Sequence, residues 1–227
     1  MDVKHDGRNT WRVCTLATLL LIGCAAAQAA GGHHAVDDAA ILDAGSCEIE
    51  SWISKASGGS RLLHAGAGCR VGPVELGVGA EYARQGGVSE TSYQVQAKWA
   101  TAVSDNLNVG LSLTAGSAAH TRPSYQGTTA SLLLTWAARD DINVHLNMGR
   151  DFVHRGPRLN RSGVSAEWAF KDGWWLVGER YAQDLSQFAR LGVRGNLAPG
   201  WTLDFSRAQR LRGPGESDWT LGLTRAF

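Results

Sequence analysis

Long apolar runs are missing from this chain. Beyond Val13 to Gly23, charged or polar residues interrupt every apolar stretch, so no segment approaches the ~20 residues that a membrane-spanning helix needs. That excludes a helical inner-membrane protein. It leaves a β-barrel open, because a barrel's signal per strand is weak. Net charge is also nearly absent, with 22 Lys+Arg against 21 Asp+Glu, so no basic field points to nucleic acid as a partner. The four cysteines include no Cys-x-x-Cys pair, which removes the usual sign of thiol redox chemistry. Proline is scarce, five residues in 227.

Glycine and tryptophan are plentiful instead, at 28 and 9 residues, a composition suited to strands with tight turns and aromatic belts. From Cys47 onward the chain settles into short alternating runs. Val74, Leu76, Val78, Ala80 and Tyr82 oppose Glu75, Gly77, Gly79 and Glu81, and Ile142, Val144, Leu146 and Met148 oppose Asn143, His145, Asn147 and Gly149. A period of two is the mark of a half-buried strand. Twelve such runs are predicted, at 47–55, 61–70, 74–85, 91–102, 107–117, 128–138, 142–152, 162–171, 174–183, 188–196, 201–210 and 218–227. All five prolines fall between runs, where a missing N–H breaks no ladder. Alternate connections are tight, such as Asp172-Gly173, and the others are mostly longer, as at 85–90, 118–127 and 153–161. Even strand number, strand length and this alternation predict an all-β fold: a closed antiparallel transmembrane barrel of about twelve strands, with short turns and both termini periplasmic. Trp99, Trp136, Trp168, Trp174 or Trp175, and Trp201 then lie at periplasmic strand ends, where an interfacial girdle belongs.

The N-terminus has the form of an export signal. Lys4, Arg8 and Arg12 precede the short apolar run, and Ala27-Gln28-Ala29 offers a small-x-small cleavage site. The expected division is a signal peptide over 1–29, a periplasmic leader over 30–46 without strand pattern, and the barrel over 47–227. Leu21-Ile22-Gly23-Cys24 resembles a lipobox and leaves lipidation at Cys24 as the other processing route. Cys47 and Cys69 remain after export. They lie symmetrically about residue 58, in the turn Ser57-Gly58-Gly59-Ser60, so a structural cross-strand disulfide is predicted.

Two stretches carry a resemblance. The last ten residues, from Asp218 to Phe227, form an amphipathic strand with a terminal Phe. They resemble the closing strand of bacterial outer-membrane barrels, although Arg225 stands where that pattern prefers an apolar residue. The resemblance implies that Phe227 is an assembly signal, and that outer-membrane lipid and the barrel-assembly machinery are partners. Asp37-Asp38-Ala39 through Leu42, Gly45 and Glu48-Ile49-Glu50 resemble the opening of a family of outer-membrane transporters named for the meta-pathway of phenol degradation. That resemblance implies passive uptake of a small molecule, hydrophobic or aromatic in character.

The face opposite the lipid is polar and of mixed sign. Glu75, Glu81, Gln94, Gln96, Lys98, His145, Asn147, Glu167, Lys171, Arg190, Arg194 and Asp204 are expected to line the lumen, either as a hydrated path for a small-molecule solute or as a self-paired filling. His33 and His34, beside Asp37 and Asp38, are weak candidates for a transition metal, but no second His pair completes a site. No cofactor is expected. A lipid hydrolase needs a Ser–His pair near the outer rim; His120 and His154 sit near Ser124 and Ser162 without a nucleophile motif, so no enzyme is expected. A periplasmic lipoprotein with a soluble barrel is a further alternative, and the Trp belt argues against it.

Overall fold

The computed structural model describes residues 33–227, so the expected signal peptide, Cys24 and residues 30–32 lie outside the described residues. Twelve strands follow one another: β1 (Cys47–Ala56), β2 (Arg61–Val71), β3 (Val74–Gln85), β4 (Val88–Ser104), β5 (Leu107–Ala118), β6 (Tyr125–Arg139), β7 (Ile142–Val153), β8 (Arg158–Lys171), β9 (Trp174–Gln183), β10 (Ser186–Ala198), β11 (Trp201–Arg212) and β12 (Asp218–Ala226). Each pairs antiparallel with its sequence neighbours. β1 also pairs with β12, from Glu48 opposite Ala226 to Ala56 opposite Asp218, which closes the barrel. This is the fold expected from the alternation. Closure leaves no strand edge unpaired.

The side-chain alternation is inverted relative to a soluble protein. Ile53, Val78, Leu132 and Met148 are 57–64 % exposed on the outer wall, while Glu75, Lys98, His145, Ser165 and Arg194 are buried inside. An apolar band outside and a polar lumen inside is the pattern of a barrel solvated by lipid. Cys47 stands opposite Cys69 in the β1–β2 register, and the two form a disulfide with an S–S length of 2.06 Å.

At the end that holds Cys47 and Phe227, all five connections are two residues long: 72–73, 105–106, 140–141, 172–173 and 199–200. Gly72 and Gly173 supply positive φ there, 61° and 70°, a conformation that costs a glycine nothing sterically. Connections at the opposite end run from two to six residues. They are shorter than the sequence pattern suggests, chiefly because β4, β6 and β8 begin at Val88, Tyr125 and Arg158. Apolar alternation stops where a strand leaves the apolar band. The backbone ladder continues past that point with polar residues on both faces, as in Ser89-Glu90 of β4.

Trp99, Trp136, Trp168 and Trp201 are half-exposed on the outer wall toward the end with the short turns. Trp219 lies toward the other end, stacked on Phe205 with ring centroids 5.3 Å apart. Trp52 points into the lumen, stacked on His64 at 4.7 Å.

Candidate functional site

Residues 33–42 lie inside the barrel, and residues 43–46, exposed over 43–45, lead from there to β1. They form no strand, so their backbone groups need other partners, and lumen side chains provide them. The Leu42 N–H donates to Glu75 (2.9 Å) and its carbonyl accepts from Arg70 (3.0 Å). The Ala39 N–H donates to Thr135 Oγ1 (2.7 Å), and the Val36 N–H to Glu179 (3.0 Å). Asn147, in the amide orientation that satisfies both its groups, brackets Asp37: its oxygen accepts from the Asp37 N–H (2.7 Å) and its nitrogen donates to the Asp37 carbonyl (2.8 Å). Arg190 donates to the His33 carbonyl. The segment thus touches β2, β3, β6, β7, β9 and β10 through side chains projecting from the wall.

Two charged centres fix it. In the first, Lys98 Nζ lies 2.9 Å from both Asp37 Oδ1 and Asp38 Oδ1, and Lys98 is only 3 % exposed. Burial raises the Asp37 carboxyl to about 6; Lys98 opposes that shift and Asp38 adds to it. In the second, His34 stands 3.4 Å from Glu179 and 3.3 Å from Asp204. Burial works against a charge on His34, but hydrogen bonds to Asp204 and Glu179 outweigh it and hold its pKa above the ordinary value. His33 goes the other way: burial, then the neighbouring His34 charge, lowers it to about 2. Its Nε2 lies 2.9 Å from Ser206 Oγ. A protonated His34 beside a neutral His33 follows.

Apolar packing completes the seat. Val36, Tyr181 and Phe188 form a small buried cluster inside the lumen, with the two rings stacked at 5.1 Å. Gly163 of β8 makes the space: a Cβ there would fall 2.5 Å from Val36 Cγ2 and 3.1 Å from Tyr181 Cβ.

Most of the residues expected to face the lumen share this interior. Glu75, Lys98, Asn147 and Arg190 hold the segment directly. Arg194 donates to Asp204 and to Glu167, both at 2.9 Å, and His145 lies 3.7 Å from Glu167 while bonding Thr135 at 2.9 Å. Gln96 donates to Ser112 (3.1 Å), and Gln94 and Gln96 line a small space with Glu48, Glu50 and His64. Glu81 lies 3.4 Å from His64 Nδ1. Lys171 is the exception. A bulge separates it from Ala169, and it ends β8 exposed at the rim rather than in the lumen.

Four residues central to this interior lie outside the sequence expectation: His64, Glu179, Tyr181 and Phe188. His64 is 2 % exposed, held between Glu50 (3.2 Å) and Glu81. Strand parity places it inside, since Leu63 and Ala65 flank it on the outer face. The irregular runs over β9 and β10 concealed the other three.

Beside the segment a cavity of about 160 Å³ remains, lined chiefly by hydroxyls and amides, among them Ser112, Thr114, Thr129, Ser131, Asn147 and Gln183. Among the described residues, His33, His34 and Asp204 form the one group with metal-ligand geometry, their donor atoms within 4.8 Å of one another. Asp204 Oδ1 already accepts from Arg194 and His34, and the Arg194 charge opposes a second cation, so the donor set is occupied by the anchorage. No hydrogen bond joins His120 or His154 to a serine among the described residues; His154 packs instead edge-on against Tyr125 at 5.4 Å.

Over residues 18–227 the chain matches a family described as uncharacterised conserved protein UCP029691, and it belongs to that family. No curated protein sequence matches it. Among solved structures, it is similar to the KdgM porin at a TM-score of 0.66, with 11 % identity over 79 % of this chain and 99 % of that one. An outer membrane channel from Pseudomonas putida F1 aligns at a TM-score of 0.62, with 9 % identity over 84 % and 98 %. The P. putida toluene transporter TodX aligns at 0.54, with 8 % identity over 82 % and 91 %. At these identities the likeness is one of fold, that of an outer-membrane barrel.

Proposed function

We propose that this member of the UCP029691 family is an outer-membrane channel for passive passage of a small solute, closed in the observed state by its own N-terminal segment. The observation that carries the reading is the way residues 33–46 are held. A polar lumen is stoppered by chain that joins no ladder and is fixed by side-chain pairs such as Lys98 with Asp37 and Asp38. Such a stopper leaves without unfolding the wall. In this reading residues 1–29 are the export signal, residues 30–46 the leader, both termini face the periplasm, and Phe227 is the signal for the assembly machinery. The similar solved channels support the reading at the level of fold.

The opening residues resemble transporters of aromatic compounds, which favours a hydrophobic or aromatic solute. The hydroxyl- and amide-lined cavity favours a polar, hydroxylated one. A second reading is a barrel whose filled lumen is purely structural, favoured by the number of charge pairs inside, such as Arg194 with Glu167 and Asp204. Conductance of the refolded protein in a planar lipid bilayer, with and without residues 30–46, separates the two. The channel reading expects brief, rare steps from the intact protein and stable steps from the truncated one. No conductance from a truncated barrel shown to be folded by heat-dependent gel mobility would establish the structural reading instead.

A further inference from the structure

The outer wall carries a row of cations that the lumen does not use. At one height around the barrel, Arg207 of β11 stands opposite Trp219 of β12, Trp219 opposite Lys55 of β1, Lys55 opposite Arg61 of β2, and Arg61 opposite Arg84 of β3. Strand parity turns all five outward, because each lies two residues from an exposed apolar neighbour: Phe205, Leu221, Ile53, Leu63 and Tyr82. The row covers four strand spacings, roughly 19 Å. The Arg207 guanidinium lies 4.9 Å from the centre of the Trp219 ring.

Among the described residues, no ion pair involves Lys55, Arg61, Arg84 or Arg207. The carboxylate of Glu216, in the loop above, is taken by the Gly58 N–H and the Ser60 hydroxyl. Like charges directly opposite one another destabilise a sheet, and the register places Lys55 against Arg61 and Arg61 against Arg84. The row also sits at the edge of the apolar band. Below it the outward residues of these strands are apolar except Ser51 and, at the far edge, Arg225, and above it come the turn at 57–60 and the loop at 213–217. In a membrane that edge is the headgroup level, where long basic side chains reach polar groups while their stems stay in the apolar layer. Guanidinium groups match phosphate oxygens in geometry as well as in charge. At the other edge of the band Arg139 pairs with Asp141, which also accepts from the Trp168 N–H, while Arg225 stands singly over the Trp201 ring and donates to the Pro199 carbonyl.

We propose that the outward row of Arg207, Lys55, Arg61 and Arg84 docks the phosphate groups of an anionic membrane lipid, whose acyl chains lie along the apolar wall beneath. The proposal rests on the reading of the chain as a membrane barrel and not on whether the barrel conducts.

The test uses the detergent-folded full barrel and its Lys55→Gln/Arg61→Gln/Arg84→Gln variant. The probes are diphosphorylated lipid A and the same lipid stripped of its phosphates, with bound lipid counted by native mass spectrometry. Retention of lipid A is expected to fall at least tenfold when either the three charges or the phosphates are removed. In neutral detergent without lipid, the variant is expected to unfold at the same or a higher temperature, because the repulsion is relieved. Equal retention by variant and parent, or of both lipids, overturns the proposal. Displacement of lipid A by an equal concentration of inorganic phosphate assigns the row to the free ion and overturns the lipid. Heat-dependent gel mobility establishes that the variant is folded. Its conductance, matched to that of the parent, keeps failure of this proposal apart from failure of the channel reading.

Discussion

The wall of this barrel and the segment inside it are built on different principles. The wall is twelve antiparallel ladders closed on themselves, so its hydrogen bonds are spread over every residue and no single side chain carries it. The segment over residues 33–46 has no ladder. It rests on a few bonds to Glu75, Lys98, Thr135, Asn147, Glu179 and Arg190, with Val36 seated over Gly163. A ladder fails all at once, whereas a segment held by side chains can be released one anchor at a time. The difference teaches where a closing device belongs: on the part whose removal leaves the fold intact.

Deleting residues 30–46 separates the two regions most completely. Stable conductance is expected to appear while the heat-dependent gel shift of the barrel persists; loss of the shift would show that the wall depends on its contents. Replacing Lys98 by Met is next in size. It removes the cation that lies against Asp37 and Asp38, and breaking one side of a buried ion pair typically costs about 3–5 kcal/mol. The segment is expected to become accessible to protease, with the barrel unchanged. Unaltered protection would mean that Lys98 does not hold it.

The disulfide probes the wall alone. Cys47→Ser/Cys69→Ser opens a cross-link between residues 22 apart in sequence, worth about 3 kcal/mol in the chain-entropy model. A lower unfolding temperature is expected with no change in conductance, and a conductance change would couple the two regions. Gly163→Ala probes the seat. The added methyl collides with Val36, and overpacking of this kind typically costs about 1–3 kcal/mol. Labelling of an engineered Ala40→Cys should rise in that background, with no shift in barrel melting.

The smallest effect is that of pH on docking of the segment. His34 is raised when docked, so its contribution is complete below about pH 6.5 and is lost as pH rises through the docked value. His33, lowered to about 2, contributes fully above about pH 6.5 and loses that contribution as pH falls. Asp37, raised to about 6, contributes fully below about pH 4 and loses it as pH rises through its docked value. Between about pH 4 and 6 the His33 and Asp37 slopes oppose each other, so Ala40→Cys labelling, taken relative to a free thiol at the same pH because the thiolate is the reacting form, should be nearly flat there. Above about pH 6.5 it should climb as His34 gives up its proton, by up to ~1.4 kcal/mol per pH unit. Labelling that instead fell with rising pH would put the docked charge on the wrong histidine.

The sequence made the wall legible because the wall is periodic. Val74 to Tyr82 and Ile142 to Met148 alternate with a period of two, and Cys47 and Cys69 mirror one another about a Gly-Gly turn. Such features depend on neighbours in the chain or directly across a hairpin, so local chemistry determined strand number, strand order and the disulfide. Lys171 shows the limit: counting by two placed it inside, and one bulge after Ala169 moved it to the rim. The starts of β4, β6 and β8 were hidden for a related reason, since a ladder persists where side chains no longer alternate.

What lies in the lumen was decided only by closure. His33 meets Ser206 and His34 meets Asp204 across sequence separations of 173 and 170, and neither pair has a period or spacing that marks it. Closing β1 onto β12 brings residues from most strands around one axis. The segment entering there satisfies its backbone with whatever side chains that convergence supplies. Periodicity determined the barrel's wall, and convergence alone determined what fills it.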